Sequence, residues 1–200
     1  MRLTIATAGS RGDVQPYLAL GRGLADAGFA VTVATHEEFR AAVEGEGLRF
    51  RAVAGDPRAM LRSEAGQRWL ASGKNLLAFV RELRRLAEPH VDAMLADYAA
   101  AVEDADVVLC GALAVPAWQA AERRGVPVAM ALLQPLTPTS AFPAMGTPPR
   151  LALGGWTNRL THHLAEQLLW QPIRTRVNRW RREVLGLPDE WRRGPGARMR

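Results

Sequence analysis

One carboxylate stands where chemistry is to be expected: Asp13, inside the run Gly9-Ser10-Arg11-Gly12-Asp13-Val14-Gln15-Pro16. The apolar stretch Leu3-Thr4-Ile5-Ala6-Thr7 before it reads as a first strand. Tyr17 to Ala27 after it reads as a helix, with Pro16 at its first position and Gly28 at its stop. A strand, a glycine loop and a helix in that order form a switch at which α/β folds hold their ligands. A carboxylate at the mouth of that switch can take a proton from a bound hydroxyl. The same residues have a structural reading. Gly9 and Gly12 then serve only a tight turn, and Asp13 sits near a helix start because the peptide dipoles favour an acid there.

The spacing excludes one common ligand class. Gly9 and Gly12 are three apart, which is not the G-x-G-x-x-G pattern of a dinucleotide site. The acid that would hold a ribose is also missing: Thr35 and His36 stand at the end of the second strand, with Glu37 only nearby. A nicotinamide site is therefore disfavoured. His36 should end on the same side as the loop after strand one, because parallel strands end together. That makes it a candidate ligand contact, against the plainer alternative of a structural histidine. A second candidate is the stretch Gln134 to Pro149, where Phe142 and Met145 offer apolar surface; the alternative is a surface loop stiffened by proline. His162 and His163 are adjacent and so point to different helix faces, and no metal site is expected. Cys110 is the only cysteine, which excludes an internal disulfide and suits a buried core thiol in a reducing compartment.

These groups need a scaffold, and the chain's periodicity describes one. Phe29 to Thr35 reads as strand two, His36 to Val43 as a short helix, and Leu48 to Ala54 as strand three, followed by the turn Gly55-Asp56-Pro57. Ser72 to Val102 carries a long amphipathic helical pattern that Pro89 should kink or split. Asp106 to Cys110 reads as strand four, Pro116 to Arg124 as a helix and Val126 to Leu132 as strand five. This alternation implies an α/β fold with a mainly parallel sheet. Leu133 to Gly155 has five prolines and no period, as functional long loops do. A last helix should run from about Thr157 to Leu185, interrupted at Pro172, with Gly186-Leu187-Pro188 ending it. Its stripe of Leu160, Leu164 and Leu168 is expected to pack on the domain's own sheet, and Trp156, Trp170, Trp180 and Trp191 to offer exposed aromatic surface. The net charge is +6, almost all of it from arginine, since Lys74 is the only lysine. In a chain rich in alanine, glycine and proline this composition is not read as nucleic-acid binding. No run reaches the roughly 18 apolar residues of a membrane span, and the N-terminus has no signal-peptide pattern.

The segment Gly9 to Tyr17 resembles the opening loop of the family 28-like sugar transferases. These include the sterol glucosyltransferases and the glycosyltransferases of macrolide and glycopeptide antibiotic pathways. The resemblance continues through Ala27-Gly28, Val31 to His36 with Phe39, Gly47 to Phe50 and Gly55-Asp56-Pro57. It returns at Gln134 to Thr139, Phe142-Pro143 and Leu185 to Pro188. It implies a Rossmann-like parallel sheet forming the N-terminal, acceptor-binding half of a GT-B fold, of the UDP-glycosyltransferase-like kind. Asp13 is then the general base of an inverting hexose transfer from a nucleotide-sugar to a hydroxyl of a lipid, sterol or natural-product aglycone. Ser10, Arg11 and Gly12 contact substrate, with the Ser10 hydroxyl facing nucleotide phosphates; His36, Gln134, Thr137 and Phe142 complete the implied substrate contacts. Residues 1–188 are expected to form this domain and 189–200 a disordered basic tail, with the donor-binding domain absent. The isolated chain should then be inactive, and a UDP- or TDP-sugar should enter only with a donor domain; no cofactor or metal is implied. The alternative is a non-catalytic acceptor- or partner-binding module left by truncation. Expected partners are a small-molecule acceptor and either a separate donor domain or a second copy, with peripheral membrane contact and no nucleic acid. The expected location is the cytoplasm or the inner membrane face.

Overall fold

The structure, a computed structural model, describes residues 1–64, 66, 67, 88–147, 154–190 and 194. The chain packs as two compact units, Met1–Ala59 with Pro89–Leu133 and Met60–Glu88 with Gln134–Arg200, where the sequence suggests one domain over 1–188.

The first unit is built on a parallel sheet of β1 (Arg2–Ala6), β2 (Ala30–His36), β3 (Arg49–Val53), β4 (Val107–Cys110) and β5 (Val128–Met130). The strand order is β3-β2-β1-β4-β5. In register, Ile5 of β1 stands beside Val33 of β2 on one side and Leu109 of β4 on the other. Leu3, Ile5, Val31 and Val33 bury one face of these strands against Val14, Tyr17 and Leu18 of α1 (Arg11–Asp26). Each such aliphatic side chain contributes about 1.5–3 kcal/mol when fully buried. α2 (Arg40–Gly45) follows a 3-10 turn at Glu37–Phe39, and Phe39 and Val43 add to the same core. α3 (Pro57–Arg62) opens where the sequence suggests only a turn: the Asp56 carboxylate accepts from the Ala59 amide at 2.8 Å, and Pro57 leads the helix. α4 (Val91–Ala101) and α5 (Val115–Arg124) complete the unit. Pro89 lies in a 3-10 turn, Glu88–His90, just ahead of α4; the earlier part of the long amphipathic pattern, residues 72–87, lies outside the described residues.

The first helix begins six residues earlier than Tyr17. Ser10 is its N-cap and Arg11 its first residue, so Pro16 lies inside the helix. Pro16 has no N–H to give the carbonyl of Gly12 four residues back, but Gly12 is exposed and water can take that acceptor. Of the eight residues Gly9 to Pro16, two therefore precede the helix and six belong to it.

In the second unit, α6 (Gly155–Trp170) and α7 (Arg174–Trp180) lead into a π-helical turn, Arg181–Leu185, ended by Gly186 at φ 63°. Two expectations need correction here. Leu160 and Leu164 do not pack on a sheet; they are 45% and 54% exposed, and Trp156 is 75% exposed, while Trp170 and Trp180 are buried. Trp191 lies outside the described residues. Nor are Asp189 and Glu190 the start of a disordered tail. Asn178 clamps Glu190 through both backbone groups, at 2.9 and 3.2 Å, and the fully buried Arg181 guanidinium lies 3.4 Å from the Glu190 carboxylate. Arg182 pairs with Asp189 at 2.5 Å, and Gly194 packs against the Trp170 ring. Two charge pairs and the Asn178 clamp hold Asp189 and Glu190 where composition alone predicts freedom.

Candidate active site at the carboxyl end of the sheet

β1 is central, with β2 on one side and β4 on the other; β1, β2 and β3 are laid down in one direction and β4 and β5 in the other, so the strand order reverses between β1 and β4. Asp13 is the third residue of α1, the helix that follows β1, beyond the carboxyl end of that strand, which is the edge where open parallel sheets bind ligands. Its placement follows from local chemistry. Ser10 caps α1, and Asp13, three residues on, reaches back: its Oδ2 accepts from the Ser10 amide at 2.8 Å and from the Ser10 hydroxyl at 2.9 Å. Both bonds fall on one oxygen. Among the described residues no donor reaches Oδ1 of this half-buried carboxylate, so one oxygen is anchored and the other is open.

Gly9 makes the anchor possible. It has φ 119°, and a Cβ there would stand 2.5 Å from Asp13 Oδ2. Its amide donates to His36 Nε2 at 3.2 Å. His36 ends β2 and is buried; its Nδ1 donates to the Val53 carbonyl at 3.2 Å, at the end of β3. Burial lowers the basicity of this imidazole, while Val53, Glu38, Ala54 and Asp56 pull the other way. Gly55 leaves room for the ring, since a Cβ there would be 3.1 Å from His36 Cε1.

Thr7 fixes the other flank. Its amide bonds Ala34 at 3.0 Å, its hydroxyl donates to the Asp13 carbonyl at 2.9 Å and its carbonyl accepts from the Tyr98 hydroxyl at 3.2 Å. The Tyr17 hydroxyl donates to the Ala131 carbonyl beyond β5, and Gly111 beyond β4 leaves space for Tyr17 and Thr7. Burial raises the pKa of Tyr98 and of Tyr17, with Asp13 and Cys110 adding to the latter, so both phenols stay protonated. Burial pushes the Cys110 thiol up to about 12, which leaves it inert.

The structure thus brings Gly9, Ser10, Asp13 and His36 together. Ser10 spends its hydroxyl on Asp13. Arg11 is exposed and donates to Gln15 at 3.1 Å, and Gly12 is exposed on the first turn. Gln134, Thr137 and Phe142 belong to the second unit, on a stretch without regular structure. That stretch is laced to α6: Asn158 donates to the Ser140 carbonyl at 3.0 Å, Thr161 accepts from the Ala144 amide at 2.8 Å, and a His162 ring nitrogen meets the Phe142 carbonyl at 3.1 Å. The Phe142 and His162 rings meet edge to face at 6.0 Å. Phe142 and Met145 stay exposed. Thr7, Tyr98, Gly55, Asn158 and Thr161 carry no sequence signal for these roles; the partner of each is set by the tertiary fold.

A parallel sheet in this order, with an anchored carboxylate leaving its central strand, defines a Rossmann-like domain of the kind that forms the N-terminal half of GT-B enzymes. The chain belongs to the glycosyltransferase family 28 N-terminal domain family, which matches residues 3–143. It is 36% identical over 185 residues to a sterol 3-beta-glucosyltransferase of Debaryomyces hansenii, covering 92% of this chain and 11% of that protein. It is 35% identical over 188 residues to a protein of the same description from Yarrowia lipolytica, covering 94% and 13%. The chain thus spans about a tenth of the length of these curated relatives. Among solved structures it is similar to the Streptomyces sp. SF2575 glycosyltransferase SsfS6, with TM-score 0.51 and 21% identity over 94% of this chain and 47% of that one. It is also similar to the glycosyltransferase SnogD from Streptomyces nogalater, with TM-score 0.54 and 18% identity over 95% and 43%. At these identities the structural likeness shows the fold.

Proposed function

We propose that this chain is the acceptor-binding half of an inverting glycosyltransferase, and that Asp13 is its general base. The observation that carries the reading is the divided carboxylate: Ser10 holds Oδ2 by two hydrogen bonds, and Oδ1 faces no protein donor among the described residues. An acceptor hydroxyl bonded to Oδ1 gives up its proton there as its oxygen attacks the anomeric carbon. The bond from that carbon to the diphosphate oxygen breaks, the nucleoside diphosphate leaves with the electron pair, and the configuration inverts. A fixed carboxylate suits this step because a positioned base contributes about 10²–10⁴-fold, and misplacement forfeits much of it.

The names of the relatives support a sterol or similar lipid alcohol as acceptor and glucose as the sugar. The wider class is a hydroxyl of a lipid, sterol or natural-product aglycone. In this reading a UDP- or TDP-sugar is held by a donor half, and the expected contacts of Ser10, Arg11, Gly12, Gln134, Thr137 and Phe142 with substrate belong to the same proposal. Peripheral membrane contact belongs to it as well, supported by the net charge of +6 and the exposed Trp156. No helix among the described residues is long and apolar enough to cross a membrane.

The test is sterol binding by the full chain in detergent micelles, followed by amide shifts, with UDP-glucose turnover measured on the same sample. Shifts at Gly9 to Asp13 without turnover are expected. Absence of binding would contradict the acceptor reading. Turnover by the chain alone, abolished in Asp13→Asn, would contradict the half-site reading while supporting the base. Binding that ignores Asp13 and no transfer in any assembled enzyme would leave the non-catalytic module.

A further inference from the structure

We propose that His36 is the positioning residue for Asp13: a neutral imidazole, protonated on Nδ1 only, that locks Gly9 against the carboxylate. The proposal rests on the reading of Asp13 as the base, and the tautomer follows from the partners. The Gly9 backbone amide can only donate, so Nε2, 3.2 Å away, must present its lone pair. The Val53 carbonyl can only accept, so Nδ1, 3.2 Å away, must carry the proton. An imidazolium would set a second N–H against the Gly9 amide and break the first bond.

The contact reaches Asp13 through one residue. Gly9 is the wall beside Oδ2: a Cβ on it would overlap the carboxylate at 2.5 Å. The ends of β2 and β3 therefore hold the base through the chain Val53–His36–Gly9–Asp13. His36 is 4% exposed, so no ligand needs to touch it for this role.

The charged groups around the ring set its response to acid. Glu38, one turn on from β2, and Asp56, in the loop after β3, favour protonation. Arg58 pairs with Glu38 at 3.1 Å and offsets its pull. Asp97 of α4 accepts from the Ala54 amide at 2.8 Å, beside Val53, and Asp13 stands across Gly9. Burial opposes them and holds the ring neutral. When acid overcomes that balance, the Gly9 bond is broken and the wall behind Oδ2 is freed.

The experiment is nuclear magnetic resonance on the labelled full chain, from about pH 8 to about pH 5, the interval in which histidine charge changes. Expected at high pH are ring nitrogen shifts of the Nδ1–H tautomer. On acidification, the Gly9 amide and the Asp13 carboxyl carbon should move with the midpoint of the His36 ring. In His36→Gln the amide oxygen can still accept near the place of Nε2, so the Gly9 amide should stay protected at high pH while the shared midpoint disappears. In His36→Leu the Gly9 amide should exchange about tenfold faster or more, a loss of one hydrogen bond's worth of protection. An Nε2–H tautomer would overturn the proposal, and so would an unchanged titration of Gly9 and Asp13 in His36→Gln. Unaltered Gly9 exchange in His36→Leu would do the same; if that variant fails to fold, the wild-type and His36→Gln titrations decide. None of these signals depends on sugar transfer, so failure here and failure of the transferase reading are distinguishable.

Discussion

Three side-chain facts make the candidate site: a serine that spends its hydroxyl on one carboxylate oxygen, a glycine that fits where nothing larger can, and a histidine whose two nitrogens both face backbone. Each gives a measurable expectation. Gly9→Ala adds a methyl at φ 119°, beside Asp13 Oδ2. It should lower stability by about 1–3 kcal/mol, the range for a strained backbone, measured by urea unfolding; a change within about 0.5 kcal/mol would contradict the close approach. For His36 the sign follows from burial. The folded pKa lies below the ordinary 6.5, so the neutral ring's contribution is complete above about that pH. It is lost as the pH falls from there through the folded value. Wild type should therefore lose more stability than His36→Gln between about pH 7.5 and pH 5.5. Equal losses would place the acid response elsewhere.

Helices and strands were legible where the signal is local, and less so where a partner far along the chain decides. The alternation of apolar runs located all five strands to within about two residues, the usual fray of element ends. Val115–Arg124 and the break near Pro172 were equally plain. The start of α1 was not. Pro16 looks like a first helical residue, yet Ser10 with an acid three positions on is also a helix start, and the structure follows the latter. The choice matters, because it turns a floppy loop into a helical turn that aims the carboxylate. His36 was placed at the right edge of the sheet, but its partners Gly9 and Val53 lie 27 and 17 residues away and no spacing rule names them. The same holds for Glu190, whose buried partners sit on α7 and the π-turn. Removing a buried partner leaves an uncompensated charge, so Glu190→Ala should destabilise by about 3–5 kcal/mol. The double change Arg181→Met with Glu190→Leu should recover most of it. Thermal melts of the three chains check this; a single variant as stable as wild type would contradict a buried pair.

Over the whole molecule, the described residues hold a five-stranded parallel sheet, and the chain corresponds to 11–13% of the sterol 3-beta-glucosyltransferases it resembles. The family match and the sheet order agree with what the glycine-rich opening motif implied, because both depend on the same strand–turn–helix unit. The acceptor was not legible: the residues proposed to meet it, from Gln134 to Met145, lie on irregular chain whose side chains are mostly exposed. In the proposed reading Asp13 removes the acceptor's proton. It is tested most directly by replacing the matching 185-residue segment of the Debaryomyces hansenii relative with this chain and measuring glucose transfer from UDP-glucose to a sterol, with and without Asp13→Asn. The substitution should lower kcat by about 10²–10⁴-fold with KM for the sterol nearly unchanged. A chimera that transfers glucose equally well with asparagine at this position would contradict it.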